Sequence, residues 1–378
     1  MVEWKKLGEV FDIRNGYTPS KNNPEFWENG TIPWFRMEDL RLNGGILSNS
    51  IQHITPASIK TSGLFPANTI IVATTATIGE HALVIVDSLA NQRFTALICR
   101  KSLTQSVLPR FAYYYCFKLD EWCKGHIRQG GFASVDMDGF KKYPFPMLPI
   151  EEQERIVDIL DTFTASIDNL KEQIAQRRKQ YEYYRDQLLD LEGKEGVEMK
   201  TLGDIGDVCM CKRVMKEQTS EKGEIPFFKI GTFGYQADAF ISKELFEEYK
   251  SKYSYPRKGE ILISASGTIG RSVVFDGEDA YFQDSNIVWI ANDEKLVTNR
   301  YLYYFYQVAE WKTDGGTIKR LYNYNLKNTT IPVPSLSEQQ RIVDILDKFE
   351  ASIQNLEAQL SQREKQYEYY REQLLNFE

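Results

Sequence analysis

A long segment in the middle of this 378-residue chain is repeated almost unchanged near its end. Residues 151–190 align without gaps on residues 337–376 at an offset of 186, and 28 of the 40 positions are identical. The runs RIVDILD and KQYEYYR occur in both copies. A repeat of this length constrains the architecture more than any other feature, because both copies are expected to fold in the same way. The sequence therefore predicts two structurally equivalent halves.

The repeat continues upstream in a much weaker form. The run VEWKKLGEV near the start is echoed by VEMKTLGDI from Val197, TIPWFR from Thr31 by EIPFFK from Glu224, and the TIG triplet at Thr77 by a second one at Thr268. The chain order is therefore globular unit, helix, globular unit, helix. Because the globular parts have diverged widely while the helices have not, we infer that the two halves need the same helix surface but different globular surfaces.

Composition bounds the class of protein. With 42% hydrophobic residues, the chain can form two cores of about 150 residues each in addition to the helices. No apolar run approaches the roughly 20 residues of a membrane span, and no signal-peptide pattern is present, so we expect a cytoplasmic protein without membrane contact. The five cysteines form no CxxC pair and the three histidines are far apart, which predicts reduced thiols, no metal site and no cofactor.

The net charge of −7 is unevenly distributed. Lys and Arg against Asp and Glu number 16 and 13 in residues 1–150, 6 and 11 in 151–192, 19 and 20 in 193–336, and 5 and 9 in 337–378. The excess of acidic over basic residues is therefore concentrated in the two repeated helices. Each globular unit can carry a local basic face, but not the strong nonspecific affinity that many phosphate contacts give. If DNA is the ligand, we expect a partner protein to supply much of the positive charge.

Apolar residues recur at alternating spacings of four and three along both repeated segments, from Ile156 to Leu191 and from Ile342 to Phe377. This is an a/d heptad seam over about five heptads, which is typical of a coiled coil. The two seams can pair antiparallel within one chain, which would give the monomer a pseudo-two-fold axis, or parallel between two chains. At 1.5 Å per residue, each helix is a rod of roughly 60 Å.

The helices carry two further local signals. Ser337 and Gln340 can form a capping box at the start of the second helix. Arg177 and Arg363 interrupt the seam at equivalent places. Either their stems cover apolar surface while the guanidinium reaches water, or they fix the register by pairing with a carboxylate or amide opposite.

Identical residues also recur off the seam, where a solvated surface tolerates drift. We therefore expect each half to present the same docking surface to the same partner, giving two partner copies. The alternative is incomplete drift after duplication or gene conversion. The candidate partner-binding residues are Asp158, Gln176, Lys179, Tyr183, Arg185, Asp344, Gln362, Lys365, Tyr369 and Arg371.

Each globular unit has the pattern of a mixed α/β domain. Apolar β-type runs flank the Gly turns that contain TIG, and helical segments follow from Arg110 and Arg300. We interpret the TIG segments as tight turns rather than phosphate cradles. Signatures of enzymes are absent from the sequence, including a phosphate-binding GxxxxGK[ST] loop, a GxSxG elbow, HExxH and a methyl-transfer tetrad. We therefore expect no catalytic residues.

These features together resemble a known family. The segment GYTPSKNNPEFWENGTIPWFRMEDL from Gly16, the ATIG and GTIG turns, and the runs EEQERIVDIL and SEQQRIVDIL are similar to the specificity (S) subunit of type I restriction-modification systems. The resemblance covers essentially the whole chain. It implies an α+β fold with two target-recognition domains (1–149 and 198–335), a central conserved helix (150–192), a linker (193–197) and a C-terminal conserved helix (336–378). The helices would form an antiparallel intramolecular coiled coil.

The resemblance also implies a function. Each globular unit would read one half of an asymmetric, bipartite site in double-stranded DNA, and the coiled coil would set the spacing. Two methyltransferase (M) subunits would bind the coiled coil, and up to two restriction and translocase (R) subunits would join through the M–S core. At 3.4 Å per base pair, a rod of about 60 Å limits the separation of the half-sites to roughly 17 base pairs.

Candidate DNA contacts are polar or basic residues in Gly-rich, non-periodic stretches. Arg, Asn and Gln suit base edges, whereas Lys more often binds phosphate. The candidates in the first unit are Arg14, Asn15, Thr18, Ser20, Lys21, Arg36, Arg93, Lys124, Arg128 and Gln129. Those in the second unit are Arg213, Lys216, Lys229, Lys252, Arg257, Arg271, Lys319, Arg320, Tyr322 and Asn323.

Two alternative functions stay open. One is an S-like subunit of a related two-component restriction-methylation enzyme, in which methylation and cleavage share one partner chain. The other is a two-headed coiled-coil scaffold whose globular ends bind proteins or glycans instead of DNA. Salt-dependent binding of DNA would argue against the scaffold.

Overall fold

The computed structural model of the chain describes residues 2–128, 133–315 and 319–377. These residues form two compact units, Met1–Leu170 with Gln359–Glu378, and Lys171–Ala358. Each unit therefore combines one globular part with segments of both long helices.

The first globular part is mixed α/β, as predicted. Its elements in chain order are β1 (Glu3–Lys6), α1 (Leu7–Val10), β2 (Phe11–Asn15), β3 (Ile32–Phe35), α2 (Met37–Asn43), β4 (Ile46–Leu47), β5 (His53–Ile54), β6 (Thr69–Ala73), β7 (His81–Val84), β8 (Leu89–Ala90), β9 (Phe94–Cys99), α3 (Pro109–Gly125), β10 (Ile127–Arg128), β11 (Ser134–Val135), α4 (Met137–Lys142) and β12 (Pro144–Met147), and the long helix α5 (Ile150–Leu189) follows.

The second globular part repeats this plan with shorter sheets. Its elements are β13 (Glu198–Thr201), α6 (Leu202–Ile205), β14 (Gly206–Cys209), β15 (Ile225–Phe228), β16 (Phe240–Ile241), α7 (Lys243–Lys252), β17 (Ile261–Ser264), β18 (Ser272–Val274), β19 (Tyr281–Phe282), β20 (Ile287–Asn292), α8 (Asn299–Tyr306), α9 (Asn323–Lys327) and β21 (Thr330–Val333), and the long helix α10 (Leu336–Leu374) follows.

The sheets correspond between the units. In the first, a sheet of order β2-β9-β6-β7-β4 packs near a sheet of order β5-β3-β8; in the second, the orders are β14-β20-β17-β18 and β16-β15-β19. The strands β3 and β8 are parallel, as are β15 and β19. Each unit also pairs its first strand antiparallel with the strand that precedes its long helix, β1 with β12 and β13 with β21.

The central strand of each larger sheet contributes to two cores. Along β6, Ile70 and Val72 belong to the core that includes α3 and α5, whereas Ile71 and Ala73 belong to the core against the smaller sheet. Along β17, Ile261 and Ile263 likewise belong to the core that includes α8 and α10, whereas Leu262 belongs to the core against the smaller sheet. Successive side chains of a strand point to opposite faces, so a strand covered on both faces is apolar throughout.

The long helices pair antiparallel inside each unit. In the first unit, Phe163 of α5 stacks on Tyr370 of α10, with ring centroids 5.3 Å apart. In the second unit, Tyr184 of α5 stacks on Phe349 of α10 at 5.5 Å. The early part of each helix thus meets the late part of the other. The predicted fold class, two mixed α/β domains with an antiparallel pair of long helices in one chain, is confirmed.

Two local predictions need correction. The sequence pattern favours a helix from Arg300 to Trp311, but α8 ends at Tyr306, where the N–H groups of Gln307 and Val308 donate to the carbonyls of Tyr304 and Phe305 in a turn. The predicted capping box of Ser337 and Gln340 is wrong. Ser335 caps α10, since its hydroxyl accepts from the N–H of Glu338 at 3.3 Å, while the Gln340 amide donates to Asp344 at 2.7 Å.

The two seam arginines follow neither predicted alternative fully. The Arg177 guanidinium lies 5.9 Å from the ring centroid of Phe349, and that of Arg363 lies 5.6 Å from the ring of Phe163. Both side chains are half-buried. Each arginine therefore contacts an aromatic ring of the facing helix, which is a cation–π contact rather than a carboxylate pair or a solvated head group.

All five cysteines lie in the described part of the chain and are free thiols, and Cys116, Cys123 and Cys211 are buried. Burial raises the pKa of Cys123 and Cys211 to about 12. Such thiols stay protonated at neutral pH and are poor metal ligands. Among the described residues, no helix is both long and apolar enough to cross a membrane.

Candidate DNA interface and the joints to the long helices

Four predicted DNA contacts of the second unit line one groove. Arg213 follows β14, Lys216 lies three residues further on, Lys229 follows β15, and Arg320 ends the loop after α8. The segment Gln283–Asn286, between β19 and β20, forms the floor of the same groove. Because these loops all leave the same ends of neighbouring strands, basic side chains that are far apart in sequence are brought together.

The groove is polar and its charges are partly compensated. The Arg213 guanidinium donates to Asp284 at 2.9 Å, and the Lys229 ammonium pairs with Asp238 at 2.8 Å. Arg320 donates to the backbone oxygen of Ser285 at 2.6 Å, and Lys216 is exposed. The Lys229–Asp238 pair is exposed on both sides, and such pairs contribute little to stability, so Lys229 can exchange its carboxylate partner for a phosphate at small cost.

The first unit has the same loops at the same places in its fold. Thr18 follows β2 as Arg213 follows β14, and Arg36 follows β3 as Lys229 follows β15. Thr18 hydrogen-bonds Gln92, the position that corresponds to Asp284. The backbone agrees with this correspondence, since the carbonyl of Phe35 accepts from Asn91 at 3.0 Å and that of Phe228 accepts from Gln283 at 2.9 Å. Arg93 is exposed in the same loop.

In each unit, further charged residues lie on or beside a short antiparallel pairing. In the first, Arg128 of β10 pairs with Asp136 and, at 3.0 Å, with Asp138. In the second, Asp314 and Arg320 form an antiparallel bridge, and Lys319 is exposed beside it. The predicted contact Gln129 lies outside the described residues.

Aromatic and polar groups extend the surface of the second unit. The exposed rings of Tyr322 and Tyr324 stack 6.0 Å apart, and the Arg320 guanidinium lies 5.9 Å from the Tyr322 ring. Asn323, between them, begins α9 and is exposed.

The TIG segments are tight turns. Each closes an antiparallel hairpin, with Gly79 at φ 83° and Gly270 at φ 84°, conformations that favour glycine. Lys124 packs its stem near Gly79 and pairs with Glu121 at 2.8 Å. Arg271, after the second turn, donates to the backbone oxygen of Phe233 at 3.0 Å and lies over the Tyr235 ring at 4.9 Å.

Several predicted residues lie outside the grooves or are held by their own domain. Arg14 donates to the backbone oxygens of Ser62 and Leu64, which fixes the loop before β6. Arg257 pairs with the buried Glu260 and with the backbone oxygen of Asn292, at the far end of β20 from the groove. Lys252, on α7, pairs with Glu248.

Of three more predicted residues, Asn15 ends β2 and the other two, Ser20 and Lys21, lie in the loop after it. Asn15 accepts from Thr95 at 3.0 Å, the backbone oxygen of Ser20 accepts from the Trp27 indole at 3.0 Å, and Lys21 is exposed. The loop is thus held in place by its backbone while some of its side chains stay accessible.

Sequence reasoning missed the amides of the groove floor. Gln283 and Asn286 in the second unit, and Asn91 and Gln92 in the first, occupy the loop between the short strand and the long strand. These residues follow β-type runs without glycine, and only Arg93, next to Gln92, gave a signal in the sequence. Alignment of the two globular parts could have identified them, because Asn91 and Gln283 directly follow equivalent short strands, β8 and β19.

Each long helix is attached to its own domain through a buried glutamine. Gln153, in the first turn of α5, accepts from the N–H of Leu108 at 2.9 Å and donates to the carbonyls of Ser106 and Leu148, both at 2.8 Å. Gln339, at the equivalent position of α10, is bonded in the same way to Thr298, Leu296 and Pro334 at 2.9, 2.8 and 2.9 Å. Neither glutamine has exposed surface.

A carboxylate two turns later makes a second attachment. Asp161 accepts from Arg110 and Tyr114 of α3. Asp347 accepts from Arg300 at 2.7 Å and from Tyr304 at 2.5 Å, both on α8. Burial and then the hydrogen bond to the aspartate raise the pKa of Tyr114 and of Tyr304 well above the usual range. Both hydroxyls are therefore donors at neutral pH.

The predicted partner-binding residues fall into two groups. Arg185 and Arg371 are half-buried in their own units: Arg185 packs on Tyr181 at 5.6 Å and Arg371 on Phe117 at 4.3 Å. The other residues are exposed. These are Asp158, Gln176, Lys179, Tyr183, Asp344, Gln362, Lys365 and Tyr369.

Within the described residues, no group of three or more His, Cys, Asp or Glu side chains is arranged to hold a metal ion. The second domain presents a polar groove, the first presents the equivalent loops, and exposed side chains recur on the two long helices. Two different polar loop surfaces combined with one repeated helix surface are typical of a binding protein.

Comparison with known proteins defines the family. The type I restriction modification DNA specificity domain matches residues 1–177 and 194–364. The chain therefore belongs to the family of type I restriction-modification specificity subunits. A putative type I restriction enzyme specificity subunit of Haemophilus influenzae is 51% identical over 283 residues, which cover 71% of this chain and 72% of the relative. The EcoprrI specificity subunit of Escherichia coli is 50% identical over 220 residues, about half of each chain.

Solved structures agree on the fold. The S subunit of the type I restriction-modification system of M. genitalium superimposes with a TM-score of 0.57 at 17% identity, covering 100% of this chain and 97% of that one. A chain from a type I restriction-modification structure concerned with complex assembly and conformational transition gives a TM-score of 0.64 at 18% identity, covering 99% and 96%.

Proposed function

We propose that this chain is the DNA-recognition subunit of a type I restriction-modification complex, and that each globular domain reads one half of a bipartite, asymmetric DNA site. The observation that carries the proposal is that the same loops recur at the same place in both domains with different polar side chains, and that in the second domain they line a groove. Thr18, Arg36 and Gln92 in the first domain replace Arg213, Lys229 and Asp284 in the second.

The side-chain differences support two different half-sites. Arginine donates in pairs to guanine, the amides of Gln and Asn suit adenine, and a carboxylate accepts from cytosine. The first domain offers hydroxyl and amide groups where the second offers a guanidinium and a carboxylate. Two domains that present different donors and acceptors select different bases, so the combined site is asymmetric.

The paired helices support a fixed gap between the half-sites. Each is a continuous helix, of 40 residues for α5 and 39 for α10. At 1.5 Å per residue the rod is about 60 Å long, which corresponds to at most roughly 17 base pairs at 3.4 Å each. We propose that this rod sets the spacing.

The exposed residues that recur on the helices support docking of two M subunits. One proposed surface comprises Gln176, Lys179, Tyr183 and Asp344, all in the second unit. The other comprises Gln362, Lys365, Tyr369 and Asp158, all in the first. Tyr183 and Tyr369 are 62% and 60% exposed, and aromatic side chains are enriched in the cores of protein interfaces. R subunits would join through the M subunits.

The proposal is tested by a methylome of the source cell with and without this gene, with the neighbouring methyltransferase gene expressed in both. We expect deletion to remove one split, gapped methylation motif, and a plasmid copy of the gene to restore it.

A second arm of this experiment assigns the domains. A plasmid copy with Arg213→Ala and Lys216→Ala should lose or relax one half of the motif and retain the other. An unchanged methylome on deletion would contradict DNA recognition and favour a scaffold.

A further inference from the structure

We propose that the glutamine and aspartate attachments are joints that fix the position of each domain on its long helix and thereby set the length of the gap in the DNA site. Joint 1 comprises Gln153, Asp161 and their partners on and before α3; joint 2 comprises Gln339, Asp347 and their partners on and before α8. This inference rests on the proposed function. It assigns the gap to these contacts as well as to helix length.

The two attachment points of each joint lie eight residues apart on the long helix, which is about 12 Å along its axis. Gln153 holds Leu108, the residue that caps α3, and Asp161 holds Arg110 and Tyr114 further along α3. Two bonds at separate points fix both translation and rotation of α3 against α5. A single attachment would leave a pivot.

Apolar packing fills the space between the two points. Ile156 and Leu160 of α5 have no exposed surface, and neither do Ile342 and Leu346 of α10. All four belong to the cores of their domains. Packing and hydrogen bonds to each copy's own domain thus account for Ile156, Leu160 and Asp161 of the run RIVDILD and for their equivalents in the second copy.

The joints are the same although the domains have diverged. Gln153 and Gln339 make the same three bonds to equivalent backbone groups, and the arginine and tyrosine that reach the aspartate recur four residues apart on α3 and on α8. A stable domain does not require one particular attachment, since many apolar contacts hold it to the helix. A shared geometry is required when two different domains must be placed identically.

A small rotation of a domain about its joint displaces its DNA-binding surface by about the length of one base pair. A gap longer by one base pair moves the half-site by about 3.4 Å and rotates it by about 35°. A pivot of about 10° at the joint moves a point roughly 20 Å away by a similar distance, and a domain of this size extends about that far. A domain that pivots on a loosened joint can therefore follow the displacement of its half-site, so the complex would methylate sites whose gap is one base pair shorter or longer.

The test uses the complex of the full chain with its methyltransferase partner. Duplexes carry the wild-type half-sites at the natural gap, and at gaps one base pair shorter and one longer. The measured quantity is the ratio of methylation rates on the natural and altered gaps. We expect Asp161→Ala to lower this ratio about tenfold, because misplacement by about an ångström costs that much or more. The half-site sequences should not change.

The chain supplies matched controls and an internal comparison. Glu154→Ala and Asp168→Ala remove exposed carboxylates of α5 seven residues before and after Asp161, outside joint 1 and outside the proposed docking surfaces, and they should leave the ratio unchanged. Asp347→Ala should have a smaller effect than Asp161→Ala, because Arg300 also pairs with Glu350 at 2.6 Å. Asp161→Asn keeps one acceptor oxygen and should retain part of the selectivity.

An unchanged ratio in Asp161→Ala overturns the inference. If that variant does not fold, an unchanged ratio in the milder Asp161→Asn does so. A wild-type complex that methylates no split site would instead refute the proposed function, so the two failures are distinguishable.

Discussion

At the scale of single residues, the hydrogen bonds already made inside a groove determine which atoms remain for a ligand. Gln283 illustrates this, because the N–H of Ile230 donates to its Oε1 at 2.9 Å. A backbone N–H can only donate, so the orientation of this amide is fixed. The Nε2 group is left as a donor on the floor of the groove.

We therefore expect Gln283→Glu to change the base selected at one position of one half-site. Glutamate keeps the oxygen that accepts from Ile230 but replaces the NH₂ donor with an acceptor. Preference should move from bases with an acceptor edge, such as guanine or the O4 of thymine, toward the amino groups of cytosine or adenine, by about 1–3 kcal/mol. Methylome sequencing of cells that carry the variant measures this.

The control for the added negative charge is Gln236→Glu, at an exposed site of the same unit outside the groove. It should leave the motif unchanged. If cells with Gln283→Glu kept the wild-type methylation motif, the Gln283 amide would not contact a base.

The sequence identifies basic residues but not what they contact. Arg213 and Arg257 look alike in sequence, since each lies in a polar, non-periodic segment. Arg213 lines the groove, whereas Arg257 is tied to the buried Glu260 and to Asn292. The difference comes from tertiary packing, which places Glu260 beneath one arginine only. Local composition carries no information about such a partner.

At the scale of elements, the long helices were the most predictable part of the chain. A heptad seam over five heptads specifies pairing, and the contacts of Phe163 with Tyr370 and of Phe349 with Tyr184 confirm it. The meaning of the identical residues off the seam was less predictable. Arg185 and Arg371 contact their own units, so only the exposed members stay candidates for docking.

Stoichiometry tests the docking surfaces, because the repeat provides two of them. We expect the wild-type chain to bind two M subunits, Lys179→Glu or Lys365→Glu to bind one, and the double variant to bind none. A reversed charge at the centre of an interface disfavours binding by several kcal/mol. Light scattering of the purified complexes measures their mass.

Lys348→Glu reverses an exposed charge of α10 that is not repeated in α5, and it should leave two M subunits bound. Binding of two M subunits by the Lys179→Glu, Lys365→Glu double variant would place the docking surface elsewhere.

At the scale of the whole molecule, the duplication predicted two mixed α/β domains with equivalent plans. It could not predict the internal sheets in detail, because short strands such as β4, β5 and β8 have only two residues each and leave no periodicity. The pairing of these short strands is determined by tertiary packing. Each of β6 and β17 contributes side chains to two hydrophobic cores, one on each face of its sheet.

Buried tyrosines make the folded state sensitive to alkali. Burial raises the pKa of Tyr113, Tyr115, Tyr301 and Tyr306 above the ordinary value of 10.0. In the unfolded chain these groups ionise near pH 10, while the folded state keeps them neutral. Their contribution to stability is therefore complete below about pH 10 and is lost as the pH rises further.

We expect the melting temperature to stay level between pH 8 and about pH 9.5 and to fall steeply above about pH 10. Tyrosinate absorbance should show these four buried tyrosines ionising only on unfolding. A melting temperature independent of pH up to about pH 11, with all tyrosines titrating in the folded protein, would contradict this.

The order in which the chain is synthesised has a consequence for how the first unit matures. Leu375 is 3% exposed in the core of this unit, and Phe377 packs against it, so residues from the far end of the sequence complete it. At about 5–20 residues per second, a ribosome needs roughly 10–40 seconds to add the intervening second unit. During this interval the nascent first domain exposes the apolar surface that α10 later covers. The hydrophobic core of the first unit is therefore completed only after the ribosome has synthesised α10 and the residues that follow it.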